Sequence, residues 1–338
     1  MRKIRKLYFF DKKNSEEMIS FLNNTVSDNY INHIMFNPLN PLHHLLPLPL
    51  KFLPETFVLT EDKQLKGLIT VAPTKSKSHR MEIQKLFFEE NSFEIASELI
   101  QYAVAKYKAM GAFSIKVKVD DYLPELLSVL ISKCGFSQIS YEKLWRINKF
   151  TENDFDKASF RHFRNSDAKS LAELYNNSLL PHFRPLLSKS TYEFKEPLFR
   201  GLSYFEEYKY IIENKQNLEP IGCIIIRTFD NENYVIDIVK EDWVDIDINE
   251  VLSYATYQIK KRKNRFGLFV RTKRYLNSGE KIEAHLLENG LECVQNQIVL
   301  TNSSAKVLKE NTKTGKFTAI TDFCPIRPVA TQKICNKM

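Results

Sequence analysis

From Ile95 the apolar positions Ile95, Leu99, Ala103 and Tyr107 recur at every fourth residue, which places them on one face of a helix running from about Phe93 to Met110. The period then changes. Phe113, Ile115, Val117 and Val119 alternate with polar residues, as a half-buried strand requires. A second helix follows near Pro124, a suitable first-turn residue, with Leu127, Leu130, Ile131 and Cys134 as its expected buried face and Gly135 as its stop. The whole succession returns further on. Ile248, Leu252, Ala255 and Ile259 predict a helix, Phe266, Leu268 and Val270 a strand, and a last helix ends at Asn289-Gly290.

The recurrence is an internal repeat. Leu65-Lys66-Gly67-Leu68-Ile69 is matched by Pro220-Ile221-Gly222-Cys223-Ile224, and Cys134-Gly135-Phe136 by Asn289-Gly290-Leu291, with 155 residues between the glycines of each pair. Leu22-Asn23-Asn24-Thr25 is echoed at a slightly shorter spacing by Tyr175-Asn176-Asn177-Ser178. The chain accordingly divides into a first copy at 1–148, a linker at 149–158, a second copy at 159–304 and a polar, lysine-rich extension at 305–338. Each copy reads strand, helical region, three strands, helix, strand, helix, strand. This is a mixed α/β (α+β) order that predicts two mainly antiparallel sheets, each flanked by helices and packed against the other copy.

That order resembles the GNAT superfamily of N-acetyltransferases, over residues 3 to 147 and again over 159 to 303. The resemblance implies a cleft where two central strands splay apart, acetyl-CoA as donor, and an amine, on a small molecule or a peptide, as acceptor. Leu86, Phe87 and Phe88 then stand at the end of the fourth strand, whose backbone groups hold the pantetheine arm, with Asn91 and Ser92 at the start of the following helix. The family's glycine-rich pyrophosphate turn is replaced here by Glu89-Glu90-Asn91-Ser92, and in the second copy by Lys240-Glu241-Asp242-Trp243-Val244-Asp245-Ile246-Asp247. Carboxylates at a diphosphate site imply weak acetyl-CoA binding in the first copy and none in the second. The family's late-helix tyrosine, four residues before the terminating glycine, is replaced by Ile131 and Leu286, neither of which can donate a proton.

Glu82 shares a strand face with Gln84, so it is a candidate base for the amine or a solvated carboxylate paired with Arg80. Tyr122 and Tyr141 flank the late helix and are the remaining candidate acids. Asp120-Asp121 ends the fifth strand, where it could bind a cationic amine, although Asp121 or Tyr122 just ahead of Pro124 also suits a helix cap. His43-His44, in the proline-stiffened segment Asn37 to Leu50, could line the acceptor site, but two adjacent histidines without a third spaced ligand make no metal site. His182 and Arg184 in the matching segment of the second copy are candidates for an anionic or polar ligand. Two readings follow: an acetyl-CoA-dependent N-acetyltransferase working through its first copy, or a catalytically silent binding or scaffold protein on the same fold.

Composition narrows the field without choosing between them. The 338 residues, 43% hydrophobic and 27% charged, suit two folded domains. No apolar run is long enough to span a bilayer, and the basic start Met1 to Lys6 is followed by too short an apolar stretch for a signal peptide, so a cytoplasmic protein is expected. Five scattered cysteines read as free buried thiols. The net charge of +8 includes basic clusters at Lys260 to Arg265 and at Arg271, Lys273 and Arg274. Without stacking aromatics or a known module beside them, nucleic acid is not an expected partner. With only 9 glycines there is no Walker-type loop, and no nucleophile elbow is present.

Overall fold

The computed structural model describes residues 2–7, 11, 55–74, 79–89, 92–147, 155–196, 206–214, 216–217, 219–228 and 231–303. The segment 37–50 with His43 and His44, residues 149–154 of the expected linker at 149–158, and the extension at 305–338 lie outside them. The first copy supplies β1 (Arg2–Lys6), β2 (Glu55–Glu61), β3 (Gln64–Pro73), β4 (Arg80–Phe88), helix α1 (Phe93–Ala109), β5 (Ser114–Asp120), helix α2 (Pro124–Ser132) and β6 (Ser137–Arg146). The second supplies β7 (Phe160–His162), helix α3 (Ala168–Ser178), β8 (Glu206–Glu213), β9 (Pro220–Thr228), β10 (Asn233–Lys240), helix α4 (Ile248–Lys260), β11 (Gly267–Lys273), helix α5 (Gly279–Glu288) and β12 (Glu292–Ser303). Two single helical turns, Arg184–Leu187 and Thr191–Phe194, follow α3.

The predicted periodicities are met by burial. Ile95, Leu99, Ala103 and Tyr107 are fully buried or nearly so on α1, and Ile248, Leu252, Ala255 and Ile259 are buried on α4. The repeated glycines have a packing reason: a Cβ on Gly67 would stand 2.7 Å from Cγ2 of Ile95, so α1 can lie this close to β3 only over a glycine. Gly135 and Gly290, at φ +67° and +69°, take the left-handed conformation that ends α2 and α5. Three details differ from expectation. On α2 the inward face is Leu126, Val129 and Leu130, while Ile131 is 47% exposed. Leu123, not Asp121 or Tyr122, occupies its N-cap, with no side-chain capping bond. Cys134 and Cys223 are buried free thiols, but Cys293 is exposed.

The largest correction concerns the sheets. Two separate ones were expected; the strands form a single sheet of twelve in the order β1-β2-β3-β4-β5-β12-β6-β11-β10-β9-β8-β7. Within it the copies keep the same strand order, read inward from opposite edges, and the parallel pairs are β4 with β5 and β10 with β11. The last strands are exchanged. β12 pairs with β5 along Ser114–Asp120, and β6 pairs with β11 from Glu142 to Arg146. Each copy thereby gains its missing neighbour from the other. Cores follow the strands: Trp145 of β6 is buried in the second copy's core with Val270, Leu252 and Leu286, and Ile298 and Leu300 of β12 enter the first copy's core with Ile115 and Leu130. The Trp145 indole N–H also donates to Thr272 Oγ1 at 3.0 Å.

Two consequences can be measured. Trp145→Ala is expected to cost about 3–5 kcal/mol of the stability seen by urea unfolding, because a cavity opens in the core of the other copy. Cleavage at a protease site introduced between Asn148 and Asp154 should leave both fragments eluting together from a sizing column in native buffer. Release of two separate folded halves would contradict the exchange.

Candidate functional site

In both copies the parallel strand pair opens part-way along. The β4–β5 ladder runs from Arg80↔Ser114 to Ile83↔Val117 and stops, and the β10–β11 ladder runs from Asn233↔Gly267 to Asp237↔Arg271 and stops. A register shift against β3 falls at Gln84, at the point where β4 leaves β5, whereas β10 stays in unbroken register with β9. A bulge there turns the strand and strengthens its twist, so the first copy's opening is built into β4 itself.

The turns beyond the two openings differ. After β4, Glu89 is drawn aside by Lys66, Nζ to Oε1 2.7 Å, and Ser92 occupies the N-cap of α1 without any side-chain capping bond. After β10 the turn is closed on itself. Lys240 Nζ donates to the carbonyl of Val244 at 2.8 Å, Asp242 pairs with Lys281 at 2.7 Å, and the Asp247 carboxylate accepts from the Asn249 N–H at 2.9 Å at the start of α4. The amides that begin α4 are thus served by this chain's own carboxylate.

Between the openings, on the face of the sheet that carries α3, lies a chamber of about 350 Å3 lined by both copies. Its floor is a run of alternating charges from β4 to β8. Glu82 meets Lys116 at 3.2 Å, Lys118 meets Glu142 at 2.7 Å, and Arg271 and Lys273 meet Asp237 at 2.8 and 3.1 Å. Arg227 joins Asp237 to Glu207, at 2.7 Å to each, and Glu207 holds Lys209 at 2.7 Å. The Tyr275 hydroxyl donates to Glu142 Oε1 at 2.7 Å. The exchanged strand β6 brings Glu142 between the two sets.

Burial of these groups works against their charges, and the partners decide the outcome. For Glu142 and Asp237, burial pushes the carboxyl upward, but the surrounding Lys118, Arg271 and Lys273 hold Glu142, and Arg271, Lys273 and Arg227 hold Asp237, well below the usual range. Glu82 is likewise lowered, burial being outweighed by Lys116 and Lys118. A carboxylate held charged in this way is a weak base. The lysines move the other way: burial lowers Lys118 in spite of Glu142, and takes Lys273 down to about 8 in spite of Asp237. Lys189 lies well below the ordinary value, through burial and through Lys273, Arg227 and Lys116 nearby.

The remaining expected residues fall in several places. Arg80, proposed partner of Glu82, donates to the carbonyl of Ser188. Leu86 and Phe88 pack against the core under α1, and Phe87 is buried. Tyr122, 72% exposed at the end of β5, donates to Asp120 Oδ2 at 3.2 Å, and Asp120 above all, then burial, raises its pKa. Asp120 accepts from Gln295 and Gln297 at 2.7 and 3.2 Å, and Asp121 from Asn296 at 2.8 Å, so the acidic pair fastens the exchanged strand β12. Tyr141 is half-exposed and alternates with Glu142, which puts it on the opposite face of the sheet from the chamber. His182 lies tilted against the ring of Phe183, and Arg184 donates to the carbonyls of Leu179 and Asn177, shaping the turn that leads to Lys189. Asn91, His43 and His44 lie outside the described residues. No cluster of potential metal ligands occurs among the described residues, and none of their helices is long and apolar enough to cross a membrane.

Sequence reasoning missed the chamber, yet a signal for it was present. The spacing of 155 that relates the glycines also relates Glu82 to Asp237, Lys116 to Arg271 and Lys118 to Lys273, and the first two pairs occupy equivalent register positions, Glu82↔Lys116 and Asp237↔Arg271. Charges that repeat on alternating strands as faithfully as glycines mark a face built for them.

Parallel strands that splay at the same point in each of two repeated α/β units, each followed by a helix, define a tandem fold of two like units. In particular, the chain has the tandem GNAT fold. A tandem GNAT protein from the clavulanic acid biosynthesis pathway matches it with a TM-score of 0.61 at 9% identity, over 90% of this chain and 98% of that one. A GCN5-related N-acetyltransferase from Sphaerobacter thermophilus matches with a TM-score of 0.58 at 8% identity, over 89% and 95% of the two chains. No family model matches the sequence, and no curated protein matches it significantly. At these identities the likeness is one of fold.

Removing the anion that three cations share tests the charged floor. Asp237→Asn is expected to cost about 3–5 kcal/mol near neutral pH, since Arg271, Lys273 and Arg227 are left facing one another. The carboxyl's folded-state pKa lies below its unfolded value of about 3.9, so its stabilisation is present above that value and is lost as pH falls through the folded one. Urea unfolding should therefore show the gap between wild type and variant narrowing towards about pH 3. A gap that stays constant down to that pH would contradict this assignment.

Proposed function

We propose that the chain is an acyl-CoA-dependent N-acyltransferase of the GNAT type whose donor site is the opening between β4 and β5. The observation that carries this reading is the difference between the two openings. β4 is bulged where it parts from β5 and β10 is not, and of the two helices that follow the openings α1 begins without a side-chain cap while α4 has that of Asp247, the second turn being filled by Lys240, Asp242 and Asp247. The backbone of Leu86 to Phe88 would receive the pantetheine arm, which needs no particular side chain there. The first amides of α1 beyond Ser92 would meet the pyrophosphate, the Ser92 N–H itself being bonded to the carbonyl of Glu89 at 3.0 Å; Asn91, outside the described residues, stays a candidate beside them. Acetyl-CoA supplies the activated acyl carbon when bound.

On this reading a neutral amine enters from the side of Asp120 and Asp121 and attacks the thioester carbonyl; the C–N bond forms as the C–S bond breaks, and the proton shed by the nitrogen passes to solvent. Glu82, kept ionised by Lys116 and Lys118, serves to orient the acceptor better than to take its proton, because its basicity is reduced. Tyr122, at the open end of β5, is the phenol placed to protonate the departing thiolate. Tyr141 is assigned to neither step, being on the far face. His43 and His44 stay candidates for the acceptor wall. The catalytically silent reading draws on two positions, Ile131 and Leu286, where the family's proton donor is absent, and on Glu89 and Glu90 at the pyrophosphate turn.

Calorimetry with acetyl-CoA separates the two. Weak binding to the wild type is expected, strengthened when Glu89 and Glu90 are both changed to glycine and unaffected by substitutions within Lys240 to Asp247. Repulsion between unit charges about 4 Å apart is worth roughly 1–4 kcal/mol between water and protein-surface conditions, so about tenfold or more should be regained. Absence of binding even in the double glycine variant would defeat the acyltransferase reading and leave the binding-protein one.

A further inference from the structure

The chamber floor does not balance its own charge. Eight cationic side chains line it against four carboxylates, with Asp237 as a fifth just beneath. Most of the cations are matched one by one, as in Lys116 with Glu82 or Lys118 with Glu142. Lys189 is the exception. Among the described residues no carboxylate lies within ion-pair distance of its ammonium, which sits 4.3 Å above the ring of Tyr175 and 5.4 Å from that of Phe194. Its backbone is fixed by reciprocal bonds with the Asn176 amide, at 2.8 and 2.9 Å, so the position is held and not incidental. The nearby charges it feels most, Lys273, Arg227 and Lys116, are cations, and the Glu193 carboxylate, too far to pair with it, offsets them only in part.

A lysine enclosed among cations costs folding free energy unless a negative charge is sometimes present. The rest of the lining says what kind. Leu186, Leu187 and Phe194 face the charged floor from the other side, and Ile139 and Ile225 interrupt it. The volume of about 350 Å3 falls at the lower end of the range for small-molecule pockets, roughly 300–1,000 Å3. We infer that the chamber between the two copies binds a small organic anion, its carboxylate or phosphate group on Lys189 with Lys273 and Lys116 beside it, and its apolar body on Leu186, Leu187 and Phe194. This inference stands apart from acyl transfer. An anion would be held with or without a donor in the β4–β5 opening, and failure of acetyl-CoA to bind leaves it untouched.

The test uses the full-length protein and three probes with the same aliphatic body: hexanoate, hexyl phosphate and the uncharged hexanamide. Calorimetry should show binding of at least one anion and none of the amide, and the tighter of the two anions names the headgroup. Lys189→Met keeps the side chain's packing on Tyr175 and Phe194 while deleting its charge. Anion binding should fall at least about tenfold, the loss of one charge-assisted contact. The unliganded variant should melt at a higher temperature than the wild type, because an unpartnered cation has been removed. That opposite movement of stability and affinity is not produced by a merely structural lysine. The inference is overturned if neither anion binds the wild type, if hexanamide binds as well as they do, or if the Lys189→Met variant binds the anions unchanged.

Discussion

A strand inside a sheet needs a partner along both of its edges, and neither copy of this repeat can provide both for its own last strand. β6 finds them in β11 and β12, and β12 in β5 and β6. The rest of the molecule depends on that arrangement. It carries Trp145 into one core and Ile298 and Leu300 into the other, it gives Asp120 and Asp121 the amides of Gln295, Asn296 and Gln297 to hold, and it sets Glu142 between the cations of both halves. Two folds that could have met as separate bodies with a wet interface are instead joined through continuous backbone hydrogen bonding and shared apolar packing.

The same junction explains the chamber. Charged side chains at the middle of a sheet are costly when enclosed, and they persist here because each strand presents its partner's opposite sign across the ladder, as Glu82 does to Lys116 and Asp237 to Arg271. The twofold-like order of strands repeats this pairing on both sides of β12 and β6. What one copy would offer as half of a polar groove becomes, with the second, a floor reaching from β4 to β8.

Local features of the fold were legible in the sequence because they are set locally. Ile95 to Tyr107 and Ile248 to Ile259 announce their helices by spacing, and Gly135 and Gly290 announce where helices stop by a backbone angle few other residues tolerate. The strand exchange was not legible. An alternating strand such as Ser137 to Arg146 reads the same whichever neighbour it pairs with, since periodicity records faces and not edges. The candidate site divides along the same line. The face that carries Glu82 was legible in its own strand, whereas Lys189 lies in a short segment between two helical turns, where nothing in the spacing tells that it comes near Lys116 and Lys273 of distant strands. Asp120 and Asp121 were visible as a pair, but their partners stand 175 residues further along the chain.

The exchange also has a consequence in time. A ribosome releases the chain from its first residue onward, and the edge of β5, complete once Asp120 has emerged, has no permanent neighbour until β12 is made at Glu292 to Ser303. β6 is likewise finished long before β11 and β12 exist to receive it. For the greater part of synthesis the first copy therefore holds an open sheet edge and an unfilled core, a state that invites pairing with other nascent chains at high expression. Closure must wait for contacts of very long sequence separation, so folding of the described residues is governed by the arrival of β12 and not by the order in which their helices appear.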